Sequence, residues 1–202
     1  MRTTGNVILL TGATSGIGLE LLRRFYELNN KIIAVSSSGE RLQDLNRTFP
    51  DVHTLVCDLG DAKAVTSLVE QCKTRFTDVN VLINNAGVQY NYKWTEAPDA
   101  WSQIEQETRI NFISPMTLTH ALLPLLLAKK EAAIVNVSSG LAFAPKRSAP
   151  IYCGTKAAVH ITTKALRYQL EQTDVKVFEI IPPLVDTPMT AGRGKGKISP
   201  QE

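Results

Sequence analysis

A phenol and an ammonium stand four residues apart in Tyr152-Cys153-Gly154-Thr155-Lys156. On a helix that spacing puts both side chains on one face, a turn apart. A free phenol titrates near pH 10 and exchanges protons poorly at neutral pH. A nearby ammonium favours the phenolate and draws that pKa toward the range where general acid–base catalysis works. Upstream, Val135-Asn136-Val137-Ser138-Ser139 ends an apolar strand in two hydroxyls. Ser139, or Ser138 beside it, is then available to orient an oxygen that Tyr152 protonates.

A second group of residues suits anions. Thr11-Gly12-Ala13-Thr14-Ser15-Gly16-Ile17-Gly18 follows the first apolar strand and opens the first helical pattern. Glycines there permit a tight turn and close approach of backbone to a pyrophosphate, and the helix start supplies free N–H groups and a positive dipole end. An acid at the end of the second strand would hydrogen-bond a ribose 2′-hydroxyl and repel a 2′-phosphate. This chain instead reads Ser36-Ser37-Ser38-Gly39-Glu40-Arg41. Ser36 occupies the acid position, Ser37 offers a hydroxyl and Arg41 a positive charge, whereas Glu40 falls at the start of the next helix. The expected cofactor is therefore NADP, with NAD less favoured.

The elements that position these groups follow from periodicity. Residues 6–11, 31–35, 52–57, 79–84, 132–137 and 175–181 are short Val- and Ile-rich runs, the mark of strands buried on both faces. Ile17, Leu21, Leu22 and Phe25 recur at helical spacing, as do Val65, Leu68, Val69 and Cys72, then Ala158, Ile161, Ala165 and Leu166. The alternation predicts a doubly wound parallel α/β sheet, a Rossmann fold, with ligands beyond the carboxyl ends of the strands. We expect one NAD(P)-binding domain over residues 1–202. From Thr190 to residue 202 periodicity is lost, and a mobile loop or tail is expected.

Composition narrows the class. The net charge of +3 is too small to imply nucleic acid, and the cations of 192–197 have no aromatic platform beside them. The longest apolar runs, such as 121–128 with Pro124 inside, are far shorter than the roughly 20 residues of a spanning helix, and no signal peptide is read at the start. Three scattered cysteines and three scattered histidines give neither a disulfide frame nor a metal site. A cytoplasmic protein with no metal, membrane or nucleic-acid partner is expected.

In order along the chain stand the glycine loop, Asp58 after the third strand, Asn84-Asn85-Ala86-Gly87 after the fourth, Asn111, Ser139, and Tyr152 with Lys156. This series resembles the classical short-chain dehydrogenase/reductases from the first strand to about Thr187. The resemblance implies hydride transfer between NADP(H) and a small carbonyl or alcohol substrate. It makes Tyr152 the proton donor and acceptor, and Ser139 the group that orients the substrate oxygen. Lys156 would bind the nicotinamide ribose and lower the Tyr152 pKa, and Asn111 would hold a water in a proton relay. The cofactor would lie along Gly12, Thr14, Ser15, Gly16, Ile17 and Gly18, with Asp58 and Leu59 at the adenine. Asn84, Ala86 and Gly87 would support it, and Pro182, Val185 and Thr187 would close over the nicotinamide. Pro183 departs from the family pattern, which has glycine there. The family also continues through a further helix and strand that this sequence lacks. That motivates a second reading, a dinucleotide-binding module with little or no turnover, acting as a sensor or interaction protein. The resemblance further implies a homodimer through two long helices, here about 99–130 and 152–172, with Phe112, Met116, Leu122, Leu126, Ile161 and Leu166 as surplus apolar positions.

Overall fold

A computed structural model describes residues 2–97, 100–192 and 194–201. Val7–Thr11 (β1), Lys31–Ser36 (β2), His53–Val56 (β3), Val81–Asn84 (β4), Ala132–Val137 (β5) and Val175–Ile180 (β6) form one sheet, ordered β3-β2-β1-β4-β5-β6. Every pairing is parallel, with Leu9 opposite Ile33 on one side and Leu82 on the other. All residues of β4 and β5 are buried, as strands covered on both faces must be. The strand order reverses between β1 and β4, so a crevice opens at their carboxyl ends.

Gly16–Glu27 (α1) and Gly39–Thr48 (α2) cover one face, burying Leu22, Leu42 and Leu45 on Ile8, Leu10, Ile32 and Ala34. Ala62–Arg75 (α3), the long Trp101–Leu127 rod and Pro150–Gln169 (α6) cover the other. The rod consists of Trp101–Thr108 (α4), a π-helical turn over Arg109–Ile113, and Ser114–Leu127 (α5). Its predicted first residue, Asp99, lies outside the described residues. By length and composition this rod would suffice to cross a membrane, with a window of mean hydropathy 1.5; 44% of that window is buried within the fold, against α3 and the sheet. The sequence missed this because Pro124 divides the apolar run without ending the helix.

Leu122 and Leu126, expected as surplus apolar positions, are fully buried in this chain's own core. Phe112, Met116 and Leu166 are half-buried, and Ile161 is exposed. The apolar residues that α5 and α6 leave outward are Leu127, Ile161 and Tyr168, together with Ile113 from the π turn. Beyond Thr190, where the sequence has no period and where Arg193 lies outside the described residues, Ile198 pairs with Val185. The Asp186 N–H donates to the Ile198 carbonyl (2.8 Å), and Lys197 meets the Asp186 carboxylate at 3.0 Å.

Candidate active site

The turn between β1 and α1 is built to bring backbone close to backbone. Gly12 holds φ at +67°, and a Cβ there would sit 2.8 Å from Ala86 Cα. A Cβ on Gly18 would lie 2.1 Å from the Gly12 carbonyl oxygen and 2.4 Å from Asn85 Nδ2. Only glycine fits either place. Asn85 Nδ2 donates to the Thr11 and Gly12 carbonyls (2.9 and 3.1 Å), and Thr11 Oγ1 accepts from the Asn85 and Ala86 N–H groups (3.0 and 3.1 Å). These bonds lock the glycine turn to the chain leaving β4. Ser15, the residue ahead of α1, places no side chain on the helix start, leaving the first N–H groups directed at the crevice.

A cleft of about 320 Å³ runs from this turn to the end of β5. Gly12, Thr14, Ser15, Gly16, Ile17 and Gly18 line its middle; Ser36, Ser37, Arg41, Asp58 and Leu59 line one end; Ala86, Gly87, Tyr152, Lys156, Pro182 and Thr187 line the other. At the β2 end Ser36 Oγ lies 3.1 Å from Thr14 Oγ1, and Ser38 caps α2 by accepting from the Arg41 N–H. Among the described residues, the only carboxylate lining the cleft belongs to Asp58, past β3, where its Oδ1 accepts from Gly60 N–H at 2.8 Å. Two expected cofactor residues do not line this cleft. Asn84 is buried beneath it, donating to Thr119 Oγ1 (3.0 Å) and Asn136 Oδ1 (2.9 Å). Val185 lines instead a second cavity of about 370 Å³.

Tyr152 and Lys156 share the buried face of α6, with Lys156 Nζ 5.7 Å from the Tyr152 ring centre. Tyr152 lines both cavities; Ser139 lines only the second. Burial pushes the Tyr152 hydroxyl up to about 12, opposed by a hydrogen bond with Ser139. The resemblance gives Lys156 the task of lowering that pKa, but the net shift is upward. The Lys156 ammonium is turned to the Val137 carbonyl (2.8 Å), and its own burial lowers it to about 8. Ser138 is committed elsewhere: its hydroxyl donates to the Ile180 carbonyl at 3.4 Å. Of the two hydroxyls, the geometry brings Ser139 to the tyrosine.

Because its folded pKa lies below its unfolded value, Lys156 opposes folding at neutral pH, and this penalty lifts as pH rises from about 8 toward 10.5. Relative to Lys156→Met, the parent should gain on the order of 2 kcal/mol between pH 7 and pH 10 in urea denaturation. A stability difference independent of pH would show that the buried ammonium is not its source.

Asn111 sits in the π turn, where the Ser114 N–H reaches five residues back to the Arg109 carbonyl. Its side chain accepts from the Val88 N–H (2.8 Å) and donates to the Val88 carbonyl (2.9 Å) and Thr155 Oγ1 (3.2 Å). In an α-helix the Asn111 carbonyl would be answered by the N–H of residue 115, which is proline and has none. One turn earlier, the fully buried Glu107 accepts from the Tyr90 N–H at 3.0 Å, and burial raises its pKa. Glu107 and Asn111 thus grip alternate residues of the segment after β4, as a neighbouring strand would. This holds Gly87 against Lys156 Nζ, 3.6 Å from where a Cβ would be.

With the geometry in hand, comparison with known proteins is direct. The profile of the short chain dehydrogenase family matches residues 6–197. This chain belongs to that family. It is 41% identical over 187 residues to the "Uncharacterized oxidoreductase DltE" of Bacillus subtilis, covering 93% of this chain and 74% of the relative. A short chain dehydrogenase from Burkholderia cenocepacia, solved in complex with NADP, superposes with a TM-score of 0.88 at 29% identity, over 100% of this chain and 82% of that one. One from Sphingobium yanoikuyae, in complex with NADPH, gives 0.90 at 25% identity, over 97% and 80%. The protein is therefore an oxidoreductase of the short-chain dehydrogenase family with its Rossmann-type sheet.

Against this family frame, three residues outside the expected set prove structural to the site: Thr11, Asn85 and Glu107. Thr11 and Asn85 stand inside the recognised motifs, and pairing the two motifs would have suggested them. Glu107 gave no such signal, since a carboxylate on a helix ordinarily faces water. At Pro183, where the short-chain dehydrogenase pattern has glycine, the loop still closes: the Gly140 N–H donates to the Pro182 carbonyl at 3.2 Å, joining the β6 loop to the Ser139 loop.

Proposed function

We propose that this oxidoreductase is an NADP(H)-dependent carbonyl reductase, working in reverse as an alcohol dehydrogenase, with Tyr152 as proton donor. The supporting observation is that Tyr152 stands in the wall between a cleft lined by the glycine turn and a mainly apolar cavity that Ser139 also lines, close enough to lower the Tyr152 pKa. The cleft fits a dinucleotide because the glycine turn and the uncapped start of α1 line its middle, offering backbone N–H groups to a pyrophosphate. The α1 N-terminus would hold the pyrophosphate, Asp58 and Leu59 the adenine, and Ala86, Gly87, Pro182 and Thr187 the nicotinamide half, with Val185 on the side of the second cavity. Bound there, the nicotinamide coenzyme supplies the hydride.

Ser139 would orient the carbonyl oxygen, and Tyr152 would pass its proton to that oxygen as negative charge develops on it. A phenol held high in pKa is neutral at pH 7, the form that reduction needs. Lys156 would take the ribose hydroxyls and resupply the proton. Because the Asn111 side chain is occupied by Val88 and Thr155, its share of a relay would fall to its backbone carbonyl, which Pro115 cannot answer. Loss of NADPH absorbance with a panel of aldehydes and ketones tests the reading. NADPH binding with no turnover on any carbonyl would favour the sensor or interaction module instead.

NADP is preferred here because, among the described residues, no carboxylate lines the cleft at the end of β2, where Ser36, Ser37 and Arg41 do. Ser36→Asp should reverse the order of NADPH and NADH affinity by placing a negative charge beside the 2′-phosphate. Titration by tryptophan fluorescence reads this, and tighter NADH binding by the parent would refute it. A two-fold dimer through α5 and α6 would cover Leu127, Ile161 and Tyr168. Three free, buried thiols suit a reducing cytoplasm.

A further inference from the structure

The second cavity is walled largely by Leu141, Pro183, Leu184, Val185 and Met189. Among the described residues that line it there is no aspartate or glutamate, and its single charge is Lys146. Lys146 is half-buried, and no described carboxylate pairs with it. Its ammonium reaches Asn91 Oδ1 at 3.5 Å, and Gln89 Nε2, from the same cavity wall, donates to that oxygen at 3.1 Å. Two donors from separate segments thus converge on one amide oxygen. The Lys146 backbone is fixed as well: its N–H donates to Cys153 Sγ at 3.2 Å, next in sequence to Tyr152.

At the solvent-facing edge of this apolar cavity the Lys146 ammonium is reachable by an incoming anion, and no described carboxylate competes for it. Converging donors also set the direction from which an anion is accepted. We propose that the substrate is an oxo acid, an aliphatic aldehyde or ketone whose carboxylate is received by Lys146 and Gln89. This rests on the carbonyl-reductase reading and names its substrate class. The carboxylate replaces the Asn91 oxygen between the two donors, the carbon chain lies on the apolar wall, and the carbonyl reaches Tyr152 and Ser139. The carbonyl carbon accepts hydride from NADPH, which leaves as NADP⁺; its oxygen takes the Tyr152 proton, giving a hydroxy acid.

The experiment compares aliphatic oxo acids with their methyl esters in the parent, Lys146→Met and Lys146→Glu. In parallel, pentanoate and pentanamide are titrated by calorimetry into the NADP⁺-saturated protein. The parent should favour acid over ester at least tenfold in kcat/KM, and bind pentanoate at least tenfold more tightly than pentanamide. Lys146→Met should remove both preferences and Lys146→Glu should invert them. Equal binding of acid and amide by the parent, or preferences untouched by both substitutions, overturns the acid site whatever the turnover. If neither acid nor ester is reduced but pentanoate still binds through Lys146, the reductase reading fails and the acid site stands.

Discussion

Tyr152→Phe should slow carbonyl reduction by two to four orders of magnitude while leaving NADPH affinity near that of the parent. The substitution removes one oxygen from a residue otherwise buried in α6, so packing is kept. What goes is the phenolic hydroxyl, on a residue that lines both cavities and whose proton affinity Ser139 lowers. A developing alkoxide is a far stronger base than a phenolate, so even a hydroxyl raised to about 12 is acid enough to protonate it. The remaining rate would come from positioning and from protonation by water. Steady-state kinetics and a nucleotide titration on one preparation separate the two effects. Turnover within a few-fold of the parent would exclude Tyr152 as the acid.

Gly18→Ala should be at least as damaging, through geometry instead of chemistry. Its methyl group would fall 2.1 Å from the Gly12 carbonyl and 2.4 Å from the Asn85 amide, and neither is a flexible chain end. The glycine turn must move, and Asn85 must release the Thr11 or Gly12 carbonyl it holds. Overpacking of this kind typically costs 1–3 kcal/mol in stability. Nucleotide affinity should fall further, at least a hundredfold, because the N–H groups proposed to hold the pyrophosphate would shift with the turn. Thermal melting with and without NADPH is the measurement: the parent should gain in Tm on adding nucleotide, and the variant should not. A ligand-induced shift equal to the parent's would mean that the turn is not the phosphate site.

Much of this architecture was legible because its determinants are local. Runs such as Leu82-Ile83 and Ile134-Val135 have no polar alternation, which only a doubly covered strand tolerates. Tyr152 and Lys156 were found through helical spacing, and the glycine turn through its place between strand and helix. What stayed hidden depends on partners distant in sequence. The destination of the Lys156 ammonium, the Val137 carbonyl, follows only once β5 lies beside α6. The upward shift of Tyr152 follows from how completely the surroundings bury it, a property no spacing encodes. Leu122 and Leu126 were assigned to an outer surface because the pattern cannot tell an apolar stripe that meets the sheet from one that meets a second molecule. Glu107 shows the same blindness for charge.

The π turn at Arg109–Ile113 amounts to one residue more than a regular helix would need. Deleting a residue there would give a straighter rod with conventional bonding, but each α-helical residue turns the chain by about 100°. Everything from Trp101 to Thr108 would swing around the axis relative to α5, carrying Glu107 away from Tyr90 and loosening the segment that holds Gly87 against Lys156. Regularity and activity therefore pull in opposite directions at this point of the chain. Engineering that idealises the helix for thermal robustness would dismantle this wall of the cleft, and length changes elsewhere along α4 are held to the same register.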